Sequence, residues 1–342
     1  MITKSTGIIT TVAGTGGSGY TGDGGLATAA TFYQPYSLAI DSLTGNIFIA
    51  DTGNNVIRLI TKSTGIITTV LGRGQNGPSG SGLNQLFKPN GICLDNMLRI
   101  LYIADTSNSR VLSMNLNTAV VSMVAGNNTS GFYGDGGNAK VASLQNPSGI
   151  AVDPASGNIY IADNYNNRVR MISKSSGIIS TVAGTGNPGS GGDGKPAINA
   201  TLNFPFSLTV NPSTGNVYVA TYNRVRMINI KSGRISTVAG TIDTGYNGDG
   251  GLATAAQLFN PCSVALDASG AILIADTFNN RIRSITGTPT ASYAPTSSSA
   301  PSPNPTFSPS NSFPSTPVSG PTSGTVHAFQ ILSVDTAITM NA

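Results

Sequence analysis

The sequence contains no glutamate and no tryptophan, and its single histidine is His327. All 14 acidic residues are therefore aspartates, and charged residues make up only 9% of the chain. A general base, a Ser-His-Asp triad or a zinc site ordinarily uses histidine or glutamate. Because residues 1–286 lack both, the sequence predicts a protein that is not an enzyme and that binds no metal or cofactor.

Cysteine and long apolar runs are scarce as well. Cys93 and Cys262 are the two cysteines, and they fall in or near the first strand of different copies of the repeat described below. A disulfide between them is therefore not expected. The start MITKSTGIIT has neither the basic residues nor the apolar core of a signal peptide. No membrane span is predicted.

What the chain does contain is a repeat present in five copies. Each copy begins at a proline and continues through an aliphatic-Asp ending, a Gly-Asn turn, an apolar run that ends in Ala-Asp, and then Asn-Asn and Arg. The copies begin at Pro35, Pro89, Pro147, Pro205 and Pro261, with spacings of 54, 58, 58 and 56 residues. A repeat of this length indicates one supersecondary unit that is used again and again.

Within a copy, the apolar pattern is that of short strands. In the third copy GIAVD, NIYIA and RVRMI are each bounded by turn residues, and SSGIISTVAG supplies a fourth β-branched segment. We name these strands a, b, c and d. Ser156-Gly157-Asn158 and Ser176-Gly177 suit the tight a–b and c–d hairpins. Four antiparallel strands repeated radially predict an all-β fold, a β-propeller with four-stranded blades.

These residues resemble a known family. The Ala-Asp-x-x-Asn-Asn-Arg cores at 50–58, 104–110, 162–168 and 275–281 are similar to NHL repeats. The connecting stretch AGTGGSGYTGDGGLATAATFYQP at 13–35 resembles the propellers of teneurin-type and bacterial surface NHL proteins. The resemblance covers residues 1–286 and implies the propeller fold. It implies little about function, because one scaffold serves many tasks.

The two ends of the repeat region suggest how the ring closes. The fifth copy stops after strand c at residues 281–285, whereas Ile2–Val12 is identical to Ile60–Val70, a strand d. We expect five blades, with the N-terminal strand pairing with Arg281–Ile285 and so covering an open edge. The alternative is an incomplete six-bladed ring, since NHL relatives are often six-bladed.

Twelve of the aspartates occupy repeated positions, which favours structural roles. Those that end strands a and b are expected to accept N–H bonds from the loop that follows, as in Asx-turns. Arg110, Arg168 and Arg281, at the start of strand c, are expected to pair with the strand-b carboxylates. Blade four departs from the pattern, because Asn211 and Thr221 replace aspartates and its b–c loop is two residues shorter. Two alternative interpretations fit this difference: sequence drift, or a local notch in the binding face.

The candidate binding face consists of the d–a connections and the b–c loops, which strand order places at one end of every blade. Three d–a connections contain Gly-aromatic-x-Gly-Asp-Gly. The candidate binding residues are Tyr20, Asp23, Phe132, Asp135, Tyr246 and Asp249. Loops on a rigid ring commonly carry binding sites, and exposed aromatics could stack on sugar or protein. The alternative is that each aromatic packs on the Ala-x-x-Ala segment of its own loop.

The C-terminal region has a different composition. Residues 287–325 are dense in Pro, Ser, Thr and Gly, which predicts a disordered stalk. Residues 326–342 are expected to form a short segment, either a lone strand or a truncated domain. Glycosylation sequons occur at Asn127, Asn128 and Asn199. The stalk and the low charge favour an extracellular or cell-surface location, with an incomplete N-terminus because the chain opens inside a repeat.

The function expected from these features is non-enzymatic recognition of a protein or a glycan through the loop face. A propeller hydrolase or lyase is the first alternative, although the histidine-rich and glutamate-containing metal sites of propeller enzymes cannot be mapped onto this chain. RNA binding, known for some NHL propellers, is the second. The net charge of +4 invites it, but the arginines are spread around the ring instead of forming a basic stripe with aromatics. We therefore predict no nucleic-acid partner.

Overall fold

The computed structural model describes residues 7–74 and 82–286, which form a five-bladed β-propeller of small antiparallel sheets. Sequential strands are hydrogen-bonded neighbours in every sheet. Blade by blade, the strands are β1 (Pro35–Ile40), β2 (Ile47–Asp51), β3 (Val56–Ile60) and β4 (Ile67–Gly72); β5 (Pro89–Asp95), β6 (Ile100–Asp105), β7 (Arg110–Asn115) and β8 (Val121–Ala125); β9 (Pro147–Val152), β10 (Ile159–Asp163), β11 (Arg168–Ile172) and β12 (Ile179–Ala183); β13 (Ser207–Val210), β14 (Val217–Ala220), β15 (Val225–Asn229) and β16 (Arg234–Ala239); β17 (Pro261–Leu266), β18 (Ile272–Asp276) and β19 (Arg281–Ile285). The predicted fold and blade count are confirmed.

The a–b hairpins are closed by the aspartates that end strand a, as predicted. Asp153 Oδ1 accepts the Ala155 N–H at 3.1 Å, and its Oδ2 accepts the Ser156 hydroxyl at 2.5 Å. Gly157 follows with a φ of 71°, a left-handed conformation that glycine adopts without strain. In blade four, Asn211 caps the same turn by accepting the N–H groups of Ser213 and Thr214. The side-chain oxygen, present in both Asp and Asn, is what this turn needs.

The aspartates that end strand b act differently from the prediction. Asp163 Oδ1 accepts the N–H of Gln145 in the preceding d–a connection, and its Oδ2 accepts the Asn166 side chain, both at 2.8 Å. Asp51, Asp105 and Asp276 make equivalent bonds. The expectation that they cap the backbone of the following loop is wrong. They fix the chain as it enters strand a, because that buried backbone needs an acceptor.

The core lies between the blades. Four apolar clusters join successive blades, and each combines strands b, c and d of one blade with the connection that follows and with the inner strands a and b of the next blade. Near the axis the first strands approach so closely that a Cβ added at Gly149 would lie 2.7 Å from the Phe206 carbonyl oxygen. The same inner strands line a central channel of about 240 Å³. A fifth cluster, built around Ile60 and Ile67, belongs to blade one and its own connection.

Ring closure concerns blade five and the N-terminal residues. Blade five has three strands among the described residues, and residues 7–12 are not a strand of its sheet. Ile9 is 74% exposed, and Ile8 and Val12 are also exposed. Ile9 forms a single β-bridge, and the pairing of the N-terminal strand with Arg281–Ile285 stays a prediction.

Cys93 and Cys262 are free cysteines, as expected. None of the described residues forms a helix long and apolar enough to cross a membrane. The predicted stalk at 287–325 and the segment at 326–342 lie outside the described residues.

Candidate functional site

The candidate site is the loop face, which we define as the d–a connections together with the b–c turns. The two loop types are directly bonded in four blades, where an asparagine of the b–c turn donates to a carbonyl oxygen of the d–a connection at 2.7–3.0 Å (Asn54, Asn108, Asn166 and Asn279). The b–c turn reaches this position because its next residue is left-handed, with φ of 59° at Asn55 and 49° at Asn167. Asparagine tolerates that conformation, which explains the repeated Asn-Asn.

The aspartates of the connections bind arginines in strand c. Asp23 pairs with Arg58, and Asp135 with Arg170, both at 2.7 Å, and Asp249 pairs with Arg283 at 2.6 Å. Each guanidinium also donates to carbonyls of the same connection; Arg170, for example, donates to Ser143 at 2.8 Å. These charge-assisted bonds hold the connection against its own blade. The predicted residues Asp23, Asp135 and Asp249 are therefore anchors of the loop face.

The sequence analysis named a strand-c arginine in three blades and chose the wrong one in two of them. Arg110 pairs with Asp105 at 2.7 Å, as predicted. Arg168 and Arg281 form no carboxylate ion pair among the described residues, and the partner of the strand-b aspartate is the arginine two positions later. Arg170 Nη1 lies 3.6 Å from Asp163, and Arg283 Nη1 lies 3.5 Å from Asp276. Alternation explains this, because residues two apart in a strand share a face.

An arginine guanidinium lies over the ring of each of the three predicted aromatic residues. Phe132 lies under Arg168 at 3.7 Å and Tyr246 under Arg281 at 3.5 Å, while Arg58 is 5.4 Å from the Tyr20 ring. Tyr20, Phe132 and Tyr246 are 37%, 43% and 41% exposed, respectively. Neither alternative of the sequence analysis specified this cation–π arrangement. The alanines of the connections pack elsewhere, as Ala27 and Ala30 do against Ile60 and Ile67.

The three units remain separate from one another. Each aromatic-Asp-Arg set is built from one connection and the blade that follows it, in blades one, three and five. No hydrogen bond, ion pair or ring contact between the described residues joins one set to another. The connections before blades two and four lack the aromatic, so the loop face carries its stacked rings in blades one, three and five.

Burial and hydrogen bonding tune the carboxylates of this face in opposite directions. Burial raises the pKa of Asp51 and Asp163 to about 6, although asparagine and backbone donors oppose the shift. The Tyr246 hydroxyl and the Arg283 guanidinium lower the pKa of Asp249 below its ordinary value. Burial alone would raise the pKa of Asp23, but bonds from Thr69 and Arg58 leave it lowered. The carboxylates of Asp23 and Asp249 are thus charged at neutral pH and already hydrogen-bonded within the loop face.

Two further features bear on chemistry. Among residues 7–74 and 82–286, no group of three or more His, Cys, Asp and Glu side chains could hold a metal ion. The sequon residues Asn127, Asn128 and Asn199 are all exposed. Asn127 accepts the N–H of Thr129 at 2.9 Å, and Asn128 Oδ1 accepts a bond from Arg110 at 3.3 Å.

Comparison with known proteins agrees with the repeat, the turns and the strand order. A profile of the teneurin NHL domain matches residues 92–191. The chain belongs to the NHL-repeat family. Mouse Teneurin-4 is 30% identical over 300 residues, and the match covers 73% of this chain and 10% of that protein.

Other NHL-repeat relatives come from different settings. Protein SUPPRESSOR OF QUENCHING 1, chloroplastic, of Arabidopsis thaliana is 27% identical over 286 residues, 79% of this chain and 26% of that protein. Human NHL repeat-containing protein 2 is 26% identical over 292 residues, 76% of this chain and 40% of that protein. The chain thus spans less than half the length of these relatives.

Solved structures share the fold. An auxiliary nutrient binding protein from Bacteroides thetaiotaomicron superposes with a TM-score of 0.56 at 18% identity, covering 75% of this chain and 60% of that one. A chain of the Nidogen/Laminin complex gives a TM-score of 0.51 at 18% identity, covering 73% and 75%. At these identities the likeness concerns the propeller alone.

Proposed function

We propose that this propeller is a non-enzymatic binding module that recognises a protein or a glycan through its loop face. The observation that carries the proposal is the repeated unit of a half-exposed aromatic ring held over a guanidinium, in blades one, three and five. A ring fixed by stacking loses little conformational freedom when it binds, and aromatic residues with arginine dominate protein interfaces. The solved structures that share the fold include a nutrient binding protein and a chain of a protein complex.

The anchoring contacts support this proposal. Asp23, Asp135 and Asp249 fasten their connections to the blades, so the rings sit on a rigid surface. Rigid presentation is what distinguishes a binding loop from a loop that must order on contact. We further propose an extracellular or cell-surface setting, in which the exposed Asn127, Asn128 and Asn199 are glycosylated.

RNA binding is less well supported by the positions of the arginines. Arg58, Arg110, Arg170 and Arg226 are among the largest fully buried side chains, so they offer no charge to a phosphate backbone. Enzymatic activity is less well supported because residues 1–286 contain neither histidine nor glutamate.

The test is a triple substitution of Tyr20, Phe132 and Tyr246 by alanine. The chain is screened against immobilised glycans and cell-surface ectodomains, and the affinity for the best hit is then measured by calorimetry. We expect a loss of about 1–3 kcal/mol for each true anchor, with little change in melting temperature. Tyr133→Ala is the matched control, because Tyr133 neighbours Phe132 and is exposed. A lowered melting temperature with unchanged affinity would assign these rings to loop packing instead.

A further inference from the structure

Blade five presents an edge that a fourth strand covers in the other blades. In blade three, strand c pairs with β12 on its outer side, whereas β19 pairs only with β18 among the described residues. A groove of about 70 Å³ lies beside β19, and its lining includes Leu258, Ile274 and Ile285. The outer edge of a strand offers N–H and C=O groups to which another extended chain can add.

The other blades show which backbone bonds fill this edge. In blade one, the Ile67 carbonyl accepts the Gly24 N–H at 2.8 Å, and the Ile67 N–H donates to the Gly25 carbonyl at 3.0 Å. The isoleucines at the same position of blades three and four make equivalent bonds to their own connections. In blade five the corresponding groups are the Gly250 N–H and the Gly251 carbonyl, and they make no such bond among the described residues.

Side chains add a second requirement for the strand that fills the edge. In blades one, three and four, strand d holds a buried isoleucine at one position: Ile67, Ile179 and Ile235. Two residues later in blade one, the Thr69 N–H donates to Asp23 Oδ2 at 3.1 Å, and blade three repeats this bond. The matching carboxylate of blade five is Asp249. Its groove therefore fits an extended segment in which threonine follows two residues after isoleucine.

The Tyr246 hydroxyl does not exclude such a segment. It donates to Asp249 Oδ2 at 2.6 Å, which is the atom that the threonine N–H would need. Blade one accommodates both groups, because the Tyr20 hydroxyl is bonded to the Thr69 hydroxyl at 2.8 Å while the Thr69 N–H donates to Asp23 Oδ2. The Tyr246 hydroxyl can therefore move to the hydroxyl of the incoming threonine and leave the carboxylate to its N–H.

This chain contains a matching segment. Residues 2–12 are identical to the strand-d sequence at 60–70, which places the isoleucine at Ile9 and the threonine at Thr11. Ile9 is 74% exposed. Moving its side chain into the groove of blade five would remove that apolar surface from water, which favours the association.

Blades five and one are not packed together at their outer strands, which favours a segment from another molecule. Ile282 is 65% exposed, whereas its counterparts are fully buried against the next blade: Ile57, Val111, Val169 and Val225. Among the described residues, no apolar cluster joins blade five to blade one, and a hydrogen bond between Tyr36 and Cys262 links their inner strands. Ala13, which follows the N-terminal segment, packs on blade one. A strand from a second molecule can enter the groove without closing this gap.

We propose that the groove of blade five binds residues 7–12 of a second molecule of this chain, as strand d. The exchange is reciprocal: each molecule donates one strand and accepts one, which gives a closed two-fold dimer. Such an association depends on chain concentration, so the dilute monomer keeps Ile9 exposed. The proposal does not depend on the ligand of the loop face.

The first test measures the mass of the full chain by sedimentation from micromolar to millimolar concentration. We expect a monomer–dimer equilibrium. Ile9→Ala should raise the dissociation constant of the dimer by at least about 30-fold, because it leaves the isoleucine position of the groove empty. Ile8→Ala is the matched control and should change it by less than about fivefold, since its counterpart Ile178 is 42% exposed in blade three. A chain that stays monomeric throughout, or equal effects of the two variants, would overturn the proposal.

The second test distinguishes exchange between molecules from closure within one. Leu59 and Thr68 are cross-strand neighbours in blade one, so Ser284 and Thr10 should be neighbours in the exchanged strand, within reach of a disulfide. A mixture of the Thr10→Cys and Ser284→Cys chains should give a disulfide-linked dimer on mild oxidation, and neither chain alone should do so. Peptide mass mapping identifies the linked positions. The double variant should also give a covalent dimer. A disulfide within its monomer would show that the chain fills its own groove, and the proposal would be wrong.

Discussion

Blades three and five carry the same connection motif but differ in what covers it. In both, an aspartate of the connection pairs with the second arginine of strand c, at 2.7 Å for Asp135 and 2.6 Å for Asp249. In both, an aromatic ring lies under the first arginine, at 3.7 Å for Phe132 and 3.5 Å for Tyr246. The unit therefore forms from the connection and strand c alone.

The difference is strand d. In blade three, β12 covers the unit, Ile179 is fully buried, and Asp135 Oδ2 accepts the N–H and the hydroxyl of Thr181. Blade five has no fourth strand among the described residues, and Asp249 is 60% exposed against 32% for Asp135. A groove of about 70 Å³ lies beside strand c there, lined by Leu258, Ile285 and Gly250 among others.

The hydroxyl of the aromatic residue follows the same difference. In blade one, where β4 is present, the Tyr20 hydroxyl is hydrogen-bonded to the Thr69 hydroxyl at 2.8 Å. In blade five, the Tyr246 hydroxyl donates to Asp249 Oδ2 at 2.6 Å, the oxygen that strand d occupies in blades one and three. In blade five, the connection thus supplies from its own tyrosine the hydrogen bond that strand d supplies in blade three. We therefore expect the motif to contribute differently to the free energy of unfolding in blades three and five.

The largest difference is expected for the buried arginine. Arg170→Ala should lower the free energy of unfolding by about 3–5 kcal/mol, because it leaves Asp163 buried without its cation. Arg283→Ala also leaves a buried carboxylate, Asp276, but it should cost less, because Arg283 itself is partly exposed and its second partner, Asp249, is 60% exposed and can be solvated. Urea unfolding measures both, with the exposed Arg73→Ala as the control. Equal losses in blades three and five would show that strand d does not change how much the ion pair contributes to the free energy of unfolding.

The next effect separates a filled strand position from an open one. Ile179→Ala and Ile67→Ala should each cost about 2–5 kcal/mol, as buried isoleucines do. Ile9→Ala, at the matching position of the identical sequence, should change stability by less than about 0.5 kcal/mol because Ile9 is exposed. Thermal and urea unfolding of the three variants decide the point. A loss at Ile9 as large as that at Ile179 would show that the N-terminal strand does complete blade five in solution.

The fold was accessible from the sequence because its determinants are local and repeated. Strand alternation, Gly-containing hairpins and a proline that opens each copy specify the blade without reference to its neighbours. The Asx-turns at Asp41 and Asp153 were predictable for the same reason, since the capped N–H groups lie two or three residues away.

Long-range pairings were not accessible in this way. The acceptor role of Asp163 toward Gln145 spans 18 residues, and the Asp135–Arg170 pair spans 35. Alternation along strand c could have favoured Arg170 over Arg168, since Arg58, Arg226 and Arg283 recur at its position. Ring closure depends on whether residues 8–12 pair with blade five. The identity of residues 2–12 and 60–70 shows that the N-terminal segment can form a strand d, but it does not show which sheet edge that strand pairs with.

The smallest expected effect concerns the hydroxyl that replaces strand d in blade five. Tyr246→Phe should raise the pKa of Asp249, because the Tyr246 hydroxyl is the strongest influence that lowers it, while the ring can still stack on Arg281. A carboxyl with a lowered folded-state pKa stabilises the fold above its ordinary pKa and loses that contribution as the pH falls, so the variant should lose less stability on acidification below about pH 4. Carboxyl-carbon NMR titration measures the pKa. Tyr20→Phe is the matched comparison and should raise the pKa of Asp23 by less, because the Tyr20 hydroxyl bonds to Thr69 and reaches that carboxylate only through it. An unchanged pKa of Asp249 in Tyr246→Phe would mean that the hydroxyl does not stand in for strand d.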